Sequence, residues 1–237
     1  MANIFQFKQF SVDQTGCAMK INTDGVLLGA LTEADNPQSI LDIGTGTGVI
    51  ALMLAQRFTN ANIDAVEIDE SAAKTATKNF ENSPFADRLN LYTTGFEEYF
   101  ATHPDRQYDL IVSNPPFYIN SLQSPGAKKN LAKHAGDGFF EGLIDGVAAH
   151  LTNDGTCWLV LPLATGAIVK DIAVQHGLHL QIQVDIYSFE SDEPHREILA
   201  FGFNNQPIVI RKFVIYDGPK VYTKEYQETL KGFLTIF

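Results

Sequence analysis

The central part of the chain alternates short apolar runs with longer segments in which apolar residues recur at helical spacing. Apolar runs without alternating polar positions are typical of strands in a parallel sheet that is covered on both faces. The predicted strands are residues 39–43, 62–67, 89–93, 110–112 and 156–161. The predicted helices are residues 49–58, 70–82 and 139–150. This order predicts an α/β fold built from successive strand–helix units.

The N-terminal segment carries a different pattern, which predicts a β-hairpin followed by a helix. Apolar and polar residues alternate there, and a Gln-Thr-Gly turn separates two strand-like stretches. Side-chain oxygens of Thr23 and Asp24 can accept hydrogen bonds from the first N–H groups of the helix. The predicted elements are strands at residues 5–12 and 18–21, a turn at residues 14–16 and a helix over residues 26–31.

The C-terminal third contains three strand patterns with no helical pattern between them. Two strands joined by a loop as short as residues 190–196 cannot be parallel neighbours, because a parallel connection needs a dozen or more residues. Antiparallel pairing is therefore predicted here. The strands are predicted at residues 180–187, 197–203 and 208–215, and a closing helix at residues 224–234.

Length and composition fit one folded domain over residues 1–237, with 45% hydrophobic and 19% charged residues and no apolar run long enough for a membrane span. No export signal is recognised, so we expect a cytoplasmic protein, with a monomer as the default. Cys17 and Cys157 lack Cys or His neighbours at ligand spacing, and no metal is expected. The net charge of −11 counts against broad binding to nucleic-acid phosphates.

A glycine-rich turn connects the first central strand to its helix. Gly44, Gly46 and Gly48 alternate there, where a ligand can approach the backbone and the helix N-terminus. Val49 stands where the dinucleotide fingerprint has its third glycine, which disfavours a pyrophosphate ligand. Glu67 ends the next strand about twenty residues later, where a carboxylate can bind both hydroxyls of a ribose. For the turn alone, a tight connection without a ligand is the alternative.

A second polar motif, Ser113-Asn114-Pro115-Pro116-Phe117, directly follows the fourth predicted strand. Each proline fixes φ and lacks an N–H, so the Asn114 side chain and the neighbouring carbonyls are held as acceptors. Such acceptors suit the weakly nucleophilic exocyclic amine of adenine, because Asn114 Oδ1 and the Pro115 carbonyl can orient and activate it without deprotonating it first. Phe117 can stack on the extruded base. The alternative is a turn with a packed aromatic residue.

The glycine turn and the segment Val66-Glu67-Ile68-Asp69 together resemble the first two motifs of class I S-adenosylmethionine-dependent methyltransferases. The resemblance implies a Rossmann-like fold with a mostly parallel, seven-stranded sheet, and S-adenosylmethionine as the cofactor. It implies that Asp42 and the glycines lie near the methionine and ribose, that Glu67 binds the ribose and that Ile68 packs on the adenine. The family's third-motif Asp is missing, and Phe96 in that neighbourhood is a candidate contact.

The Asn-Pro-Pro-aromatic motif resembles the signature shared by adenine-N6, cytosine-N4, guanine-N2 and glutamine-amide methyltransferases. Residues 5–10, 18–30 and 222–225 resemble, more narrowly, the tRNA adenosine-N6 methyltransferases that modify the adenosine 3′ of the anticodon in a valine tRNA. This likeness covers nearly the whole chain and implies a tRNA substrate. It divides the chain into an N-terminal extension, residues 1–34, and a catalytic core, residues 35–237.

Two further sets of candidate residues follow from this comparison and from charge. By the resemblance, three residues line the methionine end of the cofactor, the alternative being a helix cap and a surface lysine. These are Lys20, Thr23 and Asp24. Three lysines in the long segment after the catalytic motif are candidates for phosphate contacts, the alternative being a solvated loop. These are Lys128, Lys129 and Lys133.

Three other functions stay open at this level. Guanine-N2 methylation of ribosomal RNA uses the same motif on the same core. Protein-glutamine N5 methylation is disfavoured, because about forty N-terminal residues cannot supply the helical substrate-binding domain of those enzymes. A cofactor-binding RNA module without catalysis is disfavoured by the intact motifs.

Overall fold

The structure is a computed structural model that describes residues 3–116 and 138–237. Its strands are β1 (Ile4–Gln6), β2 (Ser11–Asp13), β3 (Ser39–Ile43), β4 (Asn62–Glu67), β5 (Leu89–Thr93), β6 (Tyr108–Ser113), β7 (Leu151–Leu161), β8 (His179–Phe189), β9 (Arg196–Gly202), β10 (Val209–Gly218) and β11 (Val221–Tyr222). Its α-helices are α1 (Thr23–Leu31), α2 (Val49–Arg57), α3 (Glu70–Glu81), α4 (Phe96–Thr102), α5 (Phe139–His150), α6 (Leu163–Gln175) and α7 (Lys224–Leu230).

The large sheet has the strand order β11-β10-β8-β9-β7-β6-β3-β4-β5. Strands β5, β4, β3, β6 and β7 are parallel neighbours, and β9 pairs antiparallel with both β7 and β8. The predicted seven-stranded, mostly parallel sheet is therefore present and is extended by β10 and β11. The carboxyl ends of β3, β4 and β6 meet at one edge, where open α/β sheets bind their ligands.

The predicted antiparallel pairing of the C-terminal strands is confirmed for β8 and β9 but is wrong for β10. That strand lies on the far side of β8 and pairs parallel with it, with Tyr216 opposite Phe189. The loop-length argument holds only for strands that are neighbours, and the short connection from β9 to β10 passes over β8 instead. The closing helix begins at the predicted residue but ends at Leu230 rather than at residue 234.

The N-terminal hairpin is present, but its predicted second strand is wrong. Strand β1 pairs antiparallel with β2, so both strands fall inside residues 4–13 and residues 18–21 form no strand. The predicted caps of α1 are also wrong, because the helix begins at Thr23 and Asn22 is the N-cap, whose Oδ1 accepts a hydrogen bond from Gly25 N at 2.9 Å. A preceding Asn satisfies the first turn as well as Thr or Asp does.

Two packed layers of helices cover the large sheet, and each encloses an apolar core. Helices α1, α2, α3 and α7 lie on the face that contains Ile40 and Trp158, and α4, α5 and α6 lie on the face that contains Leu41 and Leu159. Phe7 and Val12 from the hairpin segment are completely buried in the first core. None of the helices in residues 3–116 and 138–237 has the length and apolar character that crossing a membrane requires.

Candidate active site

The glycine turn after β3 lies at the carboxyl edge of the sheet and has a backbone that glycine favours. Gly44, Gly46 and Gly48 have φ values of 71°, 59° and 83°. Gly44 N donates to Val66 O at 2.8 Å, which ties the turn to β4. An added Cβ on Gly44 or Gly46 would meet no atom within 4 Å, whereas one on Gly48 would lie 2.5 Å from the Phe80 ring. Gly44 and Gly46 thus leave open space above the turn, and Gly48 lets the Phe80 ring pack against the backbone.

Glu67 and Ile68 lie beside this turn at the end of β4. The Glu67 carboxylate accepts hydrogen bonds from Gly46 N at 2.8 Å and from Asp69 N at 2.9 Å, so two backbone amides fix its position. Ile68 is 60% exposed, so its apolar side chain is accessible to a ligand at this edge of the sheet. An added Cβ on Gly95 would lie 3.5 Å from Ile68 Cδ1. A fixed carboxylate next to an exposed apolar side chain suits a nucleoside.

Asp42, inside β3, is fully buried beneath the glycine turn. Its Oδ2 accepts hydrogen bonds from Thr45 Oγ1 at 2.6 Å and from Ala51 N at 3.2 Å, but its Oδ1 has no partner among the described residues. The pKa of Asp42 is raised to about 7, chiefly because burial disfavours the charged carboxylate; the two hydrogen bonds oppose this rise and the nearby charge of Glu67 adds to it.

Asn114 is positioned at the end of β6, the strand next to β3. Ser113 Oγ donates to Ile43 O at 2.8 Å and so anchors the motif to β3. Pro115 is buried, and Asn114 Oδ1 is buried without any hydrogen-bond partner in the described chain. Leaving a buried acceptor unpaired costs about 1–3 kcal/mol, so this oxygen is available to a ligand that donates to it. An added Cβ on Gly25 would lie 3.5 Å from Asn114 Nδ2, which places α1 against the motif.

The predicted methionine-end residues are only partly brought together. Arg196 Nε donates to Asp24 Oδ2 at 2.9 Å, and this ion pair links the start of α1 to the start of β9 at the same edge as Asn114. Lys20 and Thr23 are exposed. Their contact with a cofactor stays a prediction.

Phe96 is placed in a less accessible position than the sequence suggested. It is the first residue of α4 and is only 7% exposed, with its ring packed edge-on against Phe139 at 5.4 Å and near Phe100 at 6.3 Å. Its primary role in the structure is to anchor α4 in the core, and its contact with a cofactor also stays a prediction. Other predicted site residues, Phe117, Lys128, Lys129 and Lys133, lie outside the described residues.

Asn79, which the sequence motifs did not indicate as a site residue, joins the N-terminal segment to the glycine turn. From the inner face of α3, Asn79 Nδ2 donates to Asp13 O at 2.9 Å and to Thr47 O at 2.8 Å, and Oδ1 accepts from Asp13 N at 2.9 Å. The available signal was an amide side chain on the apolar face of a helix, where an unpaired polar group would be costly.

Comparison with known proteins gives consistent results. Residues 21–167 match the family model of the methyltransferase small domain. The chain is 49% identical, over 100% of both chains, to the tRNA1(Val) (adenine(37)-N6)-methyltransferase of Pedobacter heparinus. It is 44% identical to the enzyme of that name from Flavobacterium psychrophilum, over 97% of this chain and 98% of the relative.

Solved structures resemble the fold at lower identity. A predicted O-methyltransferase from Agrobacterium tumefaciens has a TM-score of 0.66 and 16% identity, over 89% of this chain and 96% of that one. A methyltransferase from Pyrococcus furiosus has a TM-score of 0.53 and 21% identity, over 81% and 91% of the two chains. These likenesses establish the α/β methyltransferase fold.

Proposed function

The chain belongs to the family of the tRNA1(Val) (adenine(37)-N6)-methyltransferases, and on that premise we propose that it transfers a methyl group from S-adenosylmethionine to N6 of adenosine 37 in that tRNA. The observation that carries the proposal is the buried Oδ1 of Asn114 beside the glycine turn, which has no hydrogen-bond partner within residues 3–116 and 138–237. An acceptor held in this way fits a target that brings its own N–H donors, as the exocyclic amine of adenine does.

The residues around the glycine turn fit the cofactor. The open space above Gly44 and Gly46 leaves room for a ligand against the backbone, and Glu67 retains acceptor capacity for ribose hydroxyls beyond its two amide contacts. Exposed Ile68 offers an apolar surface for the adenine ring. When bound, S-adenosylmethionine supplies an electrophilic methyl group on a sulfonium. The further proposed contacts are Lys20, Thr23, Asp24, Asp42, Gly48 and Phe96.

Asn114 performs the step that the protein itself contributes. Its Oδ1 and the Pro115 carbonyl accept hydrogen bonds from the two N6 hydrogens, which raises electron density on the nitrogen and orients its lone pair. As the N6–methyl bond forms and the S–methyl bond breaks, the nitrogen becomes positively charged and one of its two hydrogens is released as a proton to solvent. The proline-fixed backbone keeps both acceptors in place, so little reorganisation accompanies the reaction. An anticodon-loop adenosine suits this mechanism because it is already single-stranded and costs little to extrude.

RNA binding is proposed to rest on local contacts, since the net charge is −11. The lysines of the segment after the motif, Lys128, Lys129 and Lys133, and the ring of Phe117 are the proposed RNA contacts. We also propose that residues 1–34 act with the core, residues 35–237, as one cytoplasmic methyltransferase domain. In support, Phe7 is buried in the core of the large sheet and Asp13 is bonded to Asn79.

A labelled-methyl assay tests the function. The protein is incubated with labelled cofactor and total tRNA, ribosomal RNA or protein extract, followed by nucleoside and amino-acid analysis. We expect label in N6-methyladenosine from tRNA. Label in N2-methylguanosine from ribosomal RNA, or in glutamine of protein, would instead support the two competing methyltransferase functions.

A further inference from the structure

An aromatic pocket lies away from the cofactor site, at the ends of β8 and β10. Its volume is about 340 Å³, which is in the range of small-molecule sites, and its lining is Phe189, Tyr216, Pro219, Lys220 and Tyr222. Phe189 and Tyr216 have ring centroids 5.6 Å apart, and Tyr216 stacks on Tyr222 at 5.1 Å. All three rings are partly exposed, and the face of Tyr222 opposite Tyr216 is covered by Tyr226 at 4.7 Å, so Phe189 and Tyr216 are the rings left to stack on a ligand.

The pocket contains one lysine that is available to a ligand. Lys220 is exposed at the turn between β10 and β11 and makes no hydrogen bond or ion pair within the described part of the chain. Lys212, on β10, already has partners. Its Nζ bonds to Glu190 Oε1 at 2.7 Å and lies over the Tyr187 ring at 4.5 Å. The pocket thus combines stacking surfaces with one uncommitted positive charge.

The pocket opens at the same edge of the sheet as the catalytic motif. Strands β8 and β10 run in the same direction as β6, because β9 is antiparallel to both β7 and β8. Phe189 and Tyr216 therefore lie at carboxyl ends, as Asn114 does. Tyr216 lies four strands across the sheet from Asn114 and five residues further along the strand direction. With ordinary strand spacing and rise per residue, the distance between the two residues is about 25 Å. A few nucleotides of an unstacked RNA loop can span this distance.

We propose that this aromatic pocket binds one unpaired RNA base of the substrate, several nucleotides from the methylated adenosine, with Lys220 contacting its phosphate. The proposal rests on the proposed function, which supplies the RNA. Base stacking on aromatic rings is a form of binding that does not need a strongly positive protein, and it therefore fits a chain with a net charge of −11. It also gives the enzyme a second point of contact that fixes the position of the loop over Asn114.

The test is RNA binding by two pocket variants and two matched controls. Phe189→Ala removes a stacking surface and Lys220→Glu reverses the charge. Phe58→Ala and Lys78→Glu make the same chemical changes at the opposite edge of the sheet, at the C-terminal ends of α2 and α3. Binding of an anticodon stem–loop transcript of the valine tRNA is measured by fluorescence anisotropy, and the fold by thermal unfolding.

We expect each pocket variant to weaken stem–loop binding at least fivefold, in keeping with the contribution of one stacked base, while the controls bind like wild type. The KM for RNA should rise, and kcat at saturating RNA and the affinity for the cofactor should stay near wild type. Pocket variants that bind RNA like the controls, or that lose cofactor affinity together with RNA affinity, would overturn the proposal.

A second measurement locates the base. Single abasic substitutions are placed along the loop, and each transcript is bound to wild type and to Phe189→Ala. One abasic site should weaken binding to wild type but add nothing to the effect of Phe189→Ala. Additive effects at every position would contradict the pocket. The two proposals can be refuted separately. If wild type methylates N6 but every abasic site acts additively with Phe189→Ala, only the pocket is refuted. If wild type methylates no adenosine, the proposed function is refuted.

Discussion

At the scale of single residues, Gly46 and Gly48 share a turn but differ in what surrounds them. Both have positive φ, yet only an added Cβ on Gly48 would meet Phe80. We predict that Gly46→Ala costs about 1 kcal/mol of unfolding free energy and weakens cofactor binding at least tenfold, because its methyl enters the open space of the turn. Gly48→Ala should cost more stability. Denaturant unfolding and calorimetry measure the two effects, and normal cofactor affinity in Gly46→Ala would refute the assigned site.

Asp42 provides a pH-dependent prediction at the same scale. Its pKa is raised from 3.8 to about 7 in the folded state, so the folded protein binds a proton more tightly than the unfolded chain does. The unfolding free energy therefore falls as pH rises from about 4 to about 7. Asp42→Asn removes this titration and keeps an acceptor for Thr45 and Ala51. We predict that, between about pH 4 and pH 7, the unfolding free energy of Asp42→Asn rises relative to that of wild type by up to roughly 4 kcal/mol. Parallel pH–stability curves would contradict the prediction.

At the scale of elements, Asn79 on α3 holds the N-terminal segment and the glycine turn together. Asn79→Leu keeps a similar volume but leaves Asp13 and Thr47 without their partner, so we predict a loss of about 2–4 kcal/mol of unfolding free energy. Cofactor affinity should fall as well, because Thr47 loses its anchor. Exposed Asn82, at the end of the same helix, supplies the control Asn82→Leu. Denaturant unfolding measures the loss of stability and calorimetry measures cofactor affinity. Unchanged cofactor affinity in Asn79→Leu would show that the glycine turn keeps its shape without Asn79.

The sequence correctly predicted the bounds of elements that end at recognisable turn residues. Strands β3, β4 and β5 and helix α5 agree with their predicted bounds, since each is a clear apolar run or helical repeat next to a turn signal. Helix α4 was missed because its seven residues give less than two full repeats. Helix α6 was missed because apolar residues are spread around it rather than confined to one face.

The sequence predicted that some candidate site residues lie close together where a motif fixes the geometry locally. The glycine turn, Glu67 and Asn114 come to one edge because parallel strands end there, which strand order alone dictates. Contacts between segments distant in sequence could not be predicted from local sequence patterns. The Arg196 to Asp24 ion pair spans 172 residues, and nothing in either local pattern indicates that the two side chains meet.

At the scale of the whole molecule, the acidic charge limits how much of RNA binding can be electrostatic. We predict a shallow dependence of RNA affinity on salt, corresponding to about two to four phosphate contacts. Replacing Lys128, Lys129 and Lys133 with Gln should lower both affinity and slope. The control, in which Lys74 and Lys78 on α3 are replaced with Gln, should leave the salt dependence of RNA affinity unchanged. Salt titration of stem–loop binding measures this, and an unaltered slope in the triple variant would exclude these lysines from the interface.

In the proposed mechanism, Asn114 acts on the target amine and not on the cofactor. The most direct measurement is the single-turnover rate of Asn114→Ala at saturating cofactor and tRNA, with cofactor affinity determined by calorimetry and Asn60→Ala, in an exposed turn, as the control. We expect the rate to fall about a hundredfold or more, with cofactor affinity near wild type. A rate near that of the control, or a loss of cofactor affinity as large as the loss of rate, would contradict this mechanism.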